Sequence, residues 1–306
     1  MLNKIKSIPT PNMGSRTYII TVFLFLTLGA LVQNYDLNIG LLFTNIFILL
    51  GYVLLVSKIR NLDLKEIFSF KKVNPTIVFR MFFLTIFLYL FLIPINSLVS
   101  TFILKNIPAL EKMLDQIPTP SNGIELVKSI FFIAVLPAIF EELFFRGFLF
   151  KSLEKFGVKS KIILSSLFFT FLHFNPLNFV GPLFIGMVYG YLRHRTDSIF
   201  PSMICHFFNN SLAVILSYFV KATPDSADTD LISNLDIGFA HIVVMIVLCI
   251  ILAAILYFLL KGIKNDSRRI TIFEKVRPSE TFFIVVNALI CSIIFVLIFV
   301  SFASLN

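Results

Sequence analysis

Residues 126–150 read LVKSIFFIAVLPAIFEELFFRGFLF. This stretch decides the fold, because it is long enough to cross a bilayer and yet holds Glu141, Glu142 and Arg146. A bilayer-crossing helix needs about 20 mostly apolar residues, within a range of roughly 17–25. A charge at its centre costs roughly 2.5–3.5 kcal/mol on insertion scales, so such groups are seldom idle. The stretch is expected to be a membrane helix whose charged face meets protein or water rather than lipid.

The remaining sequence agrees. Of 306 residues, 58% are apolar, 14% are charged and 38 are Phe. Soluble domains carry about 45–50% apolar and about 25% charged residues. A water-soluble fold of this size could not bury so much apolar surface, which excludes soluble enzyme folds and intrinsic disorder. Cys205, Cys249 and Cys291 all lie in apolar runs; they cannot make a disulfide framework and behave as small hydrophobes. The formal charge of +9 would suit a nucleic-acid binder, but in a membrane chain the placement of the charge matters more than its total.

Working outward gives nine expected spans: Thr17–Gln33, Asn38–Ser57, Thr76–Phe102, Leu126–Phe150, Ile162–Phe174, Leu177–Arg193, Ile199–Val220, Ile237–Leu260 and Thr281–Phe302. The expected fold class is an all-α polytopic transmembrane bundle, one membrane domain over residues 1–306. The first span follows Lys4, Lys6 and Arg16 but lacks a small-residue cleavage site, so it reads as retained. The fifth span is short, about 20 Å of helix, and Asn175-Pro176 ends it. A helix end at that depth implies a polar cavity beside it. With the N-terminus in the cytoplasm, 20 of the 26 Lys and Arg lie in inside segments. Lys105, Lys112, Lys128 and Lys221 lie outside, and Arg80 and Arg146 within spans. That asymmetry favours a cytoplasmic N-terminus and an external C-terminus, with Arg80 snorkelling to the inner face. The segment Lys221–Asp236 reads as an acidic outer connector.

Six polar groups stand out inside the spans: Glu141, Glu142, Arg146, His173, His206 and Asn210. Each has a bland explanation alone. Glu142 and Arg146, four apart, can be a structural ion pair. His173 can cap a short helix, His206 can bond between helices, and Asn210 can act as helix–helix glue. Their depths argue against coincidence. Glu141, His206 and His173 lie about 13, 10 and 16 Å from the inner ends of their spans. Glu141 and Glu142 point about 100° apart, so Glu141 is left to face other helices. Phe169 lies one turn before His173. His206 and Asn210 share a face and can present two donors to one oxygen, as an oxyanion hole requires. His194, between Arg193 and Arg195, is expected to be solvated. His241 is expected to pack near the outer surface, and Asn287 to be helix–helix glue.

At these residues the sequence resembles a family. Glu141–Arg146 matches EExxxR, Phe169–His173 matches FxxxH and His206–Asn210 matches HxxxN, in order on three spans. Ser198-Ile199-Phe200-Pro201-Ser202 is also similar to members. The family is the CPBP intramembrane proteases, which include type II CAAX prenyl endopeptidases and proteins of bacteriocin processing and self-immunity. The resemblance covers about 126–218, the expected catalytic core. It implies peptide-bond hydrolysis in a cavity open to cytosol and lipid. Glu141 with His173 would activate water, His206 with Asn210 would hold the oxyanion, and Glu142 with Arg146 would brace the site or orient substrate. Two Glu and two His could bind Zn²⁺, but HExxH is absent and metal-free catalysis is favoured. The expected substrate is a hydrophobic or lipid-anchored peptide met in the lipid bilayer, with no nucleic acid involved. Two rivals carry different tests: a non-catalytic immunity or scaffold protein would tolerate loss of these residues, and a small proton-coupled transporter would carry flux.

Overall fold

A computed structural model describes residues 7–116, 119–222, 239–263 and 278–303. Every regular element among them is helical, apart from one isolated bridge between Ser7 and Leu62. The long helices are α1 (Pro11–Tyr35), α2 (Leu37–Ile59), α4 (Thr76–Asn106) and α5 (Gly123–Ser152), with a short α3 (Leu64–Phe68) before α4. They continue as α6 (Gly157–Phe171), α7 (Val180–Thr196), α8 (Phe200–Ala222), α9 (Phe239–Lys261) and α10 (Pro278–Ala303). A helical segment therefore stands at each of the nine expected places. By length and composition, six qualify as membrane-crossing: α1, α2, α4, α5, α8 and α9. The helices α6 and α7 have only 15 and 17 residues.

Local chemistry sets the boundaries. Thr10 caps α1 ahead of Pro11, which fits the first turn because its missing N–H is unneeded there. Asp36 accepts from Ile39 N at 2.8 Å and Asp63 from Lys65 N at 3.0 Å. Asn122 accepts from Ile124 N and Glu125 N, both at 3.0 Å. Each side chain satisfies amides that a helix start leaves without partners. The fifth span departs from expectation in both ends: α6 begins at Gly157, five residues before Ile162, and stops at Phe171. The early start is possible because Lys161 is buried with its ammonium 4.6 Å from the Phe150 ring centre. The expected break is present. Asn175 accepts from Leu177 N at 3.0 Å and opens a single turn with Pro176 in its first position.

Two apolar cores hold the bundle. One joins α1, α2, α5 and α6 through Tyr18, Leu49, Phe145, Phe148, Phe168 and Phe169. The other joins α4, α7, α8 and α9 through Met81, Leu84, Leu88, Tyr189, Cys205 and Leu256. Large apolar residues elsewhere face outward, among them Phe23, Phe47, Phe79, Phe102 and Phe258, each more than half exposed. In water such a surface would aggregate; in a multi-pass membrane protein it meets lipid tails. Arg80 donates to Gly262 O beyond the last turn of α9, where a cation offsets the negative helix end. Asn287 donates to Ser15 O at 2.9 Å and ties α10 to α1, the expected interhelical role. The three cysteines are free thiols. Most of the acidic connector at Lys221–Asp236, and the side chain of His241, lie outside the described residues.

Candidate active site

Helix α5 carries the carboxylates on an α-helical stretch, Leu136–Glu142, between two π-helical ones, Ile130–Val135 and Leu143–Leu149. A π turn widens the helix and frees carbonyls from their usual partners, and such turns are frequent at functional sites. One carbonyl in the first π stretch, that of Ile133, receives the Asn210 side chain of α8: Nδ2 donates to it at 2.9 Å. Asn210 Oδ1 accepts from Asn209 Nδ2 at 3.2 Å. Asn210 is therefore half-engaged in bracing α8 on α5, and one amide N–H is left for another acceptor.

Glu142 is fully buried. Its Oε1 accepts from Arg146 Nη1 at 3.2 Å and bonds His206 Nδ1 at 3.1 Å. The ion pair foreseen from the i,i+4 spacing is thus half of a three-residue unit that crosses from α5 to α8. Arg146 is also fully buried, and its Nη2 donates to Gly186 O on α7 at 3.1 Å. A methyl group at Gly186 would lie 3.1 Å from that nitrogen and 2.9 Å from Ser166 Cβ, so a bare backbone is needed for the approach. The guanidinium lies over the Phe169 ring, with Cζ 4.3 Å from its centre.

Phe169 also links the two imidazoles. Its centre lies 4.8 Å from that of His173 and 5.9 Å from that of His206, both edge-on. His173 follows the end of α6, where its Nδ1 bonds Phe169 O at 2.9 Å. A carbonyl can only accept, so Nδ1 carries a hydrogen; in a neutral imidazole that places the lone pair on Nε2. His173 is a helix cap, and its imidazole is exposed and reachable from outside the packed core. The next residue, Phe174, has φ 46. Glu141 is half-buried, with Oε2 shielded and without a hydrogen-bond partner. Its carboxylate lies within electrostatic range of Arg146 and Tyr189.

The structure thus gathers Glu142, Arg146 and His206 in direct bonds, and joins His173 to them through Phe169. Glu141 and Asn210 flank the group. The donors do not form a zinc site: among the described residues no three His, Cys, Asp or Glu come close enough to share an ion.

Sequence reasoning missed two neighbours. Tyr189, buried in α7, lies against the His206 ring at 5.4 Å with planes 32° apart. Its hydroxyl is buried without a partner. Arg193 counts among the charges of a cytoplasmic turn, yet it is buried and donates from Nε to Arg146 O at 3.2 Å. Its Nη1 bonds Asp197 at 3.1 Å. His194, expected to be solvated, is half-buried because α7 continues to Thr196. Burial alone would raise the Asp197 carboxyl, but hydrogen bonds from Lys71 and Arg193 outweigh it and hold that group below its usual value.

Residues 123–212 match the family model of the Rce1-like type II CAAX prenyl endopeptidases. The match spans less than a third of the chain and contains all three motifs. Comparison with curated proteins and with solved structures returned no match. The matched segment, from α5 to the first half of α8, is similar to that endopeptidase family, in line with the resemblance carried by the motifs.

Proposed function

We propose that the protein is an intramembrane endopeptidase that cuts a hydrophobic or lipid-anchored peptide with a water activated by Glu141 and His173. The observation that carries this reading is the buried Glu142–Arg146–His206 unit with His173 held one ring away. The unit fixes the His206 imidazole and the Phe169 carbonyl fixes that of His173, which leaves His173 Nε2 and an unpartnered oxygen on Glu141 for a water. Those are the groups a water needs in order to be oriented and deprotonated.

In the proposed cycle, water attacks the scissile carbonyl as Glu141 takes its proton and His173 Nε2 orients it. The new C–O bond pushes an electron pair onto the carbonyl oxygen. His206, when protonated, carries an N–H on both nitrogens, with Nδ1–H on Glu142 and Nε2–H facing the oxyanion. The second amide N–H of Asn210 supplies the other donor. Collapse breaks the C–N bond, and Glu141 returns the proton to the departing amine. No step passes through a metal. The site is proposed to open to the cytoplasm and lipid, with the N-terminus inside and the C-terminus outside, following the Lys and Arg asymmetry.

The test uses the purified full chain in proteoliposomes with two quenched fluorescent peptides. One carries a farnesylated CAAX-type end, and the other is a hydrophobic peptide without lipid. Glu141→Gln and His173→Gln should each lower kcat by about 10²–10⁴-fold, the usual contribution of a general base, while the thermal midpoint stays near wild type. Cleavage of either peptide by Glu141→Gln at the wild-type rate removes Glu141 as the base. Failure of the wild type to cut both peptides, with proton flux in its place, returns the transporter.

A further inference from the structure

We propose that Arg193 is a positioning residue for the hydrolytic site: it clamps the Arg146 backbone and ties the Glu142–Arg146–His206 unit to a cytoplasmic clasp centred on Asp197. The proposal rests on the functional reading above and adds a residue that lies outside its three motifs.

The geometry is continuous. Glu142 holds His206, Arg146 holds Glu142 and Gly186, and Arg193 holds the carbonyl of Arg146 itself. That carbonyl lies in the second π stretch of α5, where the widened helix leaves carbonyls open to a side-chain donor. Arg193 reaches it with Nε and still bonds Asp197 with Nη1. Arg193 presents Nε and Nη1 from one rigid planar fork, whereas the three donors of a lysine radiate from a single nitrogen and do not reproduce that spacing.

The far end of the chain is also built. Asp197 bonds Lys71, whose side chain is 57% exposed and so lies at the aqueous edge. Asp197 and Ser69 are two of the four non-glycine residues with positive φ among the described residues, at 46 and 48. They face each other: Ser69 Oγ donates to Asp197 O at 2.6 Å, and Ile199 N donates to Ser69 O at 3.4 Å. Ser198 Oγ donates to Lys71 O at 2.7 Å. Left-handed backbone at such residues persists only where its surroundings over-determine it, and here three cross-bonds do so. The clasp fixes the α7–α8 turn, from which α8 carries His206 inward less than two turns later.

The variants are Arg193→Met, Arg193→Lys and Asp197→Asn in the full chain. Asn tolerates left-handed backbone, so Asp197→Asn weakens the clasp without straining the turn. Asn287→Ala serves as a control that loses a distant interhelical bond. Two readouts are taken, kcat and KM on the cleaved peptide and the His206 imidazole signal by NMR with isotope-labelled histidine. The chain has four histidines, so His206→Gln assigns the signal. Arg193→Met should lower kcat by about 10²-fold, as a misplaced catalytic group does, with KM within twofold, and should move the His206 signal. Arg193→Lys and Asp197→Asn should fall between it and wild type, and Asn287→Ala should keep both readouts. An unmoved His206 signal in both Arg193→Met and Asp197→Asn overturns the proposal, as does a kcat loss no larger than that of the control. If the wild type cuts no peptide, the NMR arm still decides: a moved His206 signal supports the clamp while the peptidase reading falls.

Discussion

Replacing Glu142 with Gln should cost both stability and activity, whereas replacing Glu141 should cost activity alone. Glu142 is fully buried and accepts from two partners at 3.2 and 3.1 Å. Gln keeps the volume and one carbonyl oxygen but loses the charge that balances Arg146, which is itself fully buried. Breaking a buried pair by removing one partner costs about 3–5 kcal/mol, because the other charge is left uncompensated. The contact of the cation with the Phe169 ring is present in both proteins and cancels in the difference. A loss of roughly 3–5 kcal/mol is therefore expected. Glu141 is half-buried and makes no bond with Oε2, so Glu141→Gln should stay within about 1 kcal/mol of wild type. The assay is denaturant-induced unfolding in mixed detergent micelles, followed by helical signal, with peptide cleavage measured in parallel. The double variant Glu142→Gln/Arg146→Met should be more stable than Glu142→Gln, since it removes the stranded cation. Equal stability of Glu142→Gln and wild type, or a double variant worse than the sum of its singles, would refute the account of Glu142 as the charge that holds the unit together.

Gly186→Ala should push the guanidinium off the Gly186 carbonyl, given a contact of 3.1 Å to Arg146 Nη2; cleavage should fall by more than tenfold while helix content in circular dichroism is kept. Asp197 is held below its usual value, so the stability it contributes is complete above about pH 4, its unfolded value, and fades as pH falls through the folded one. The stability difference between wild type and Asp197→Asn, from thermal midpoints across a pH series, should shrink below about pH 4. Asn287→Ala removes the 2.9 Å bond to Ser15 O and should cost about 0.6–1.7 kcal/mol in unfolding, with cleavage unchanged.

Much of the fold was legible because lipid imposes a simple demand, a long run of apolar residues per crossing; a helical segment stands at each of the nine apolar runs, and six of these are long and apolar enough to cross. The site was legible to the extent that ionisable groups inside those runs are rare. What escaped followed from the same logic. Hydropathy stops a helix at its first lysine, so the start of α6 at Gly157 was missed, although Lys161 is buried against Phe150. It assigns every terminal arginine to water, so Arg193 was counted as loop charge although Asp197 neutralises it within the protein. It scores tyrosine as neutral packing, so Tyr189 went unnoticed beside His206. The i,i+4 rule found Glu142 and Arg146 but says nothing about a partner 64 residues away. The π turns that free the carbonyls of Ile133 and Arg146 leave no local pattern of residue types.

Tyr18 of α1 donates its hydroxyl to Phe168 O at 2.8 Å, one residue before the ring that joins both imidazoles. Asn96 of α4 receives the amide of Gly181 at 2.9 Å, at the start of α7. Both supports come from helices that precede the family-matched segment. Residues 123–212 are accordingly not a portable cassette. A transplant into a foreign bundle would need a hydroxyl and an amide delivered at the same two heights, or the short helix that leads into His173 would arrive without its scaffolding.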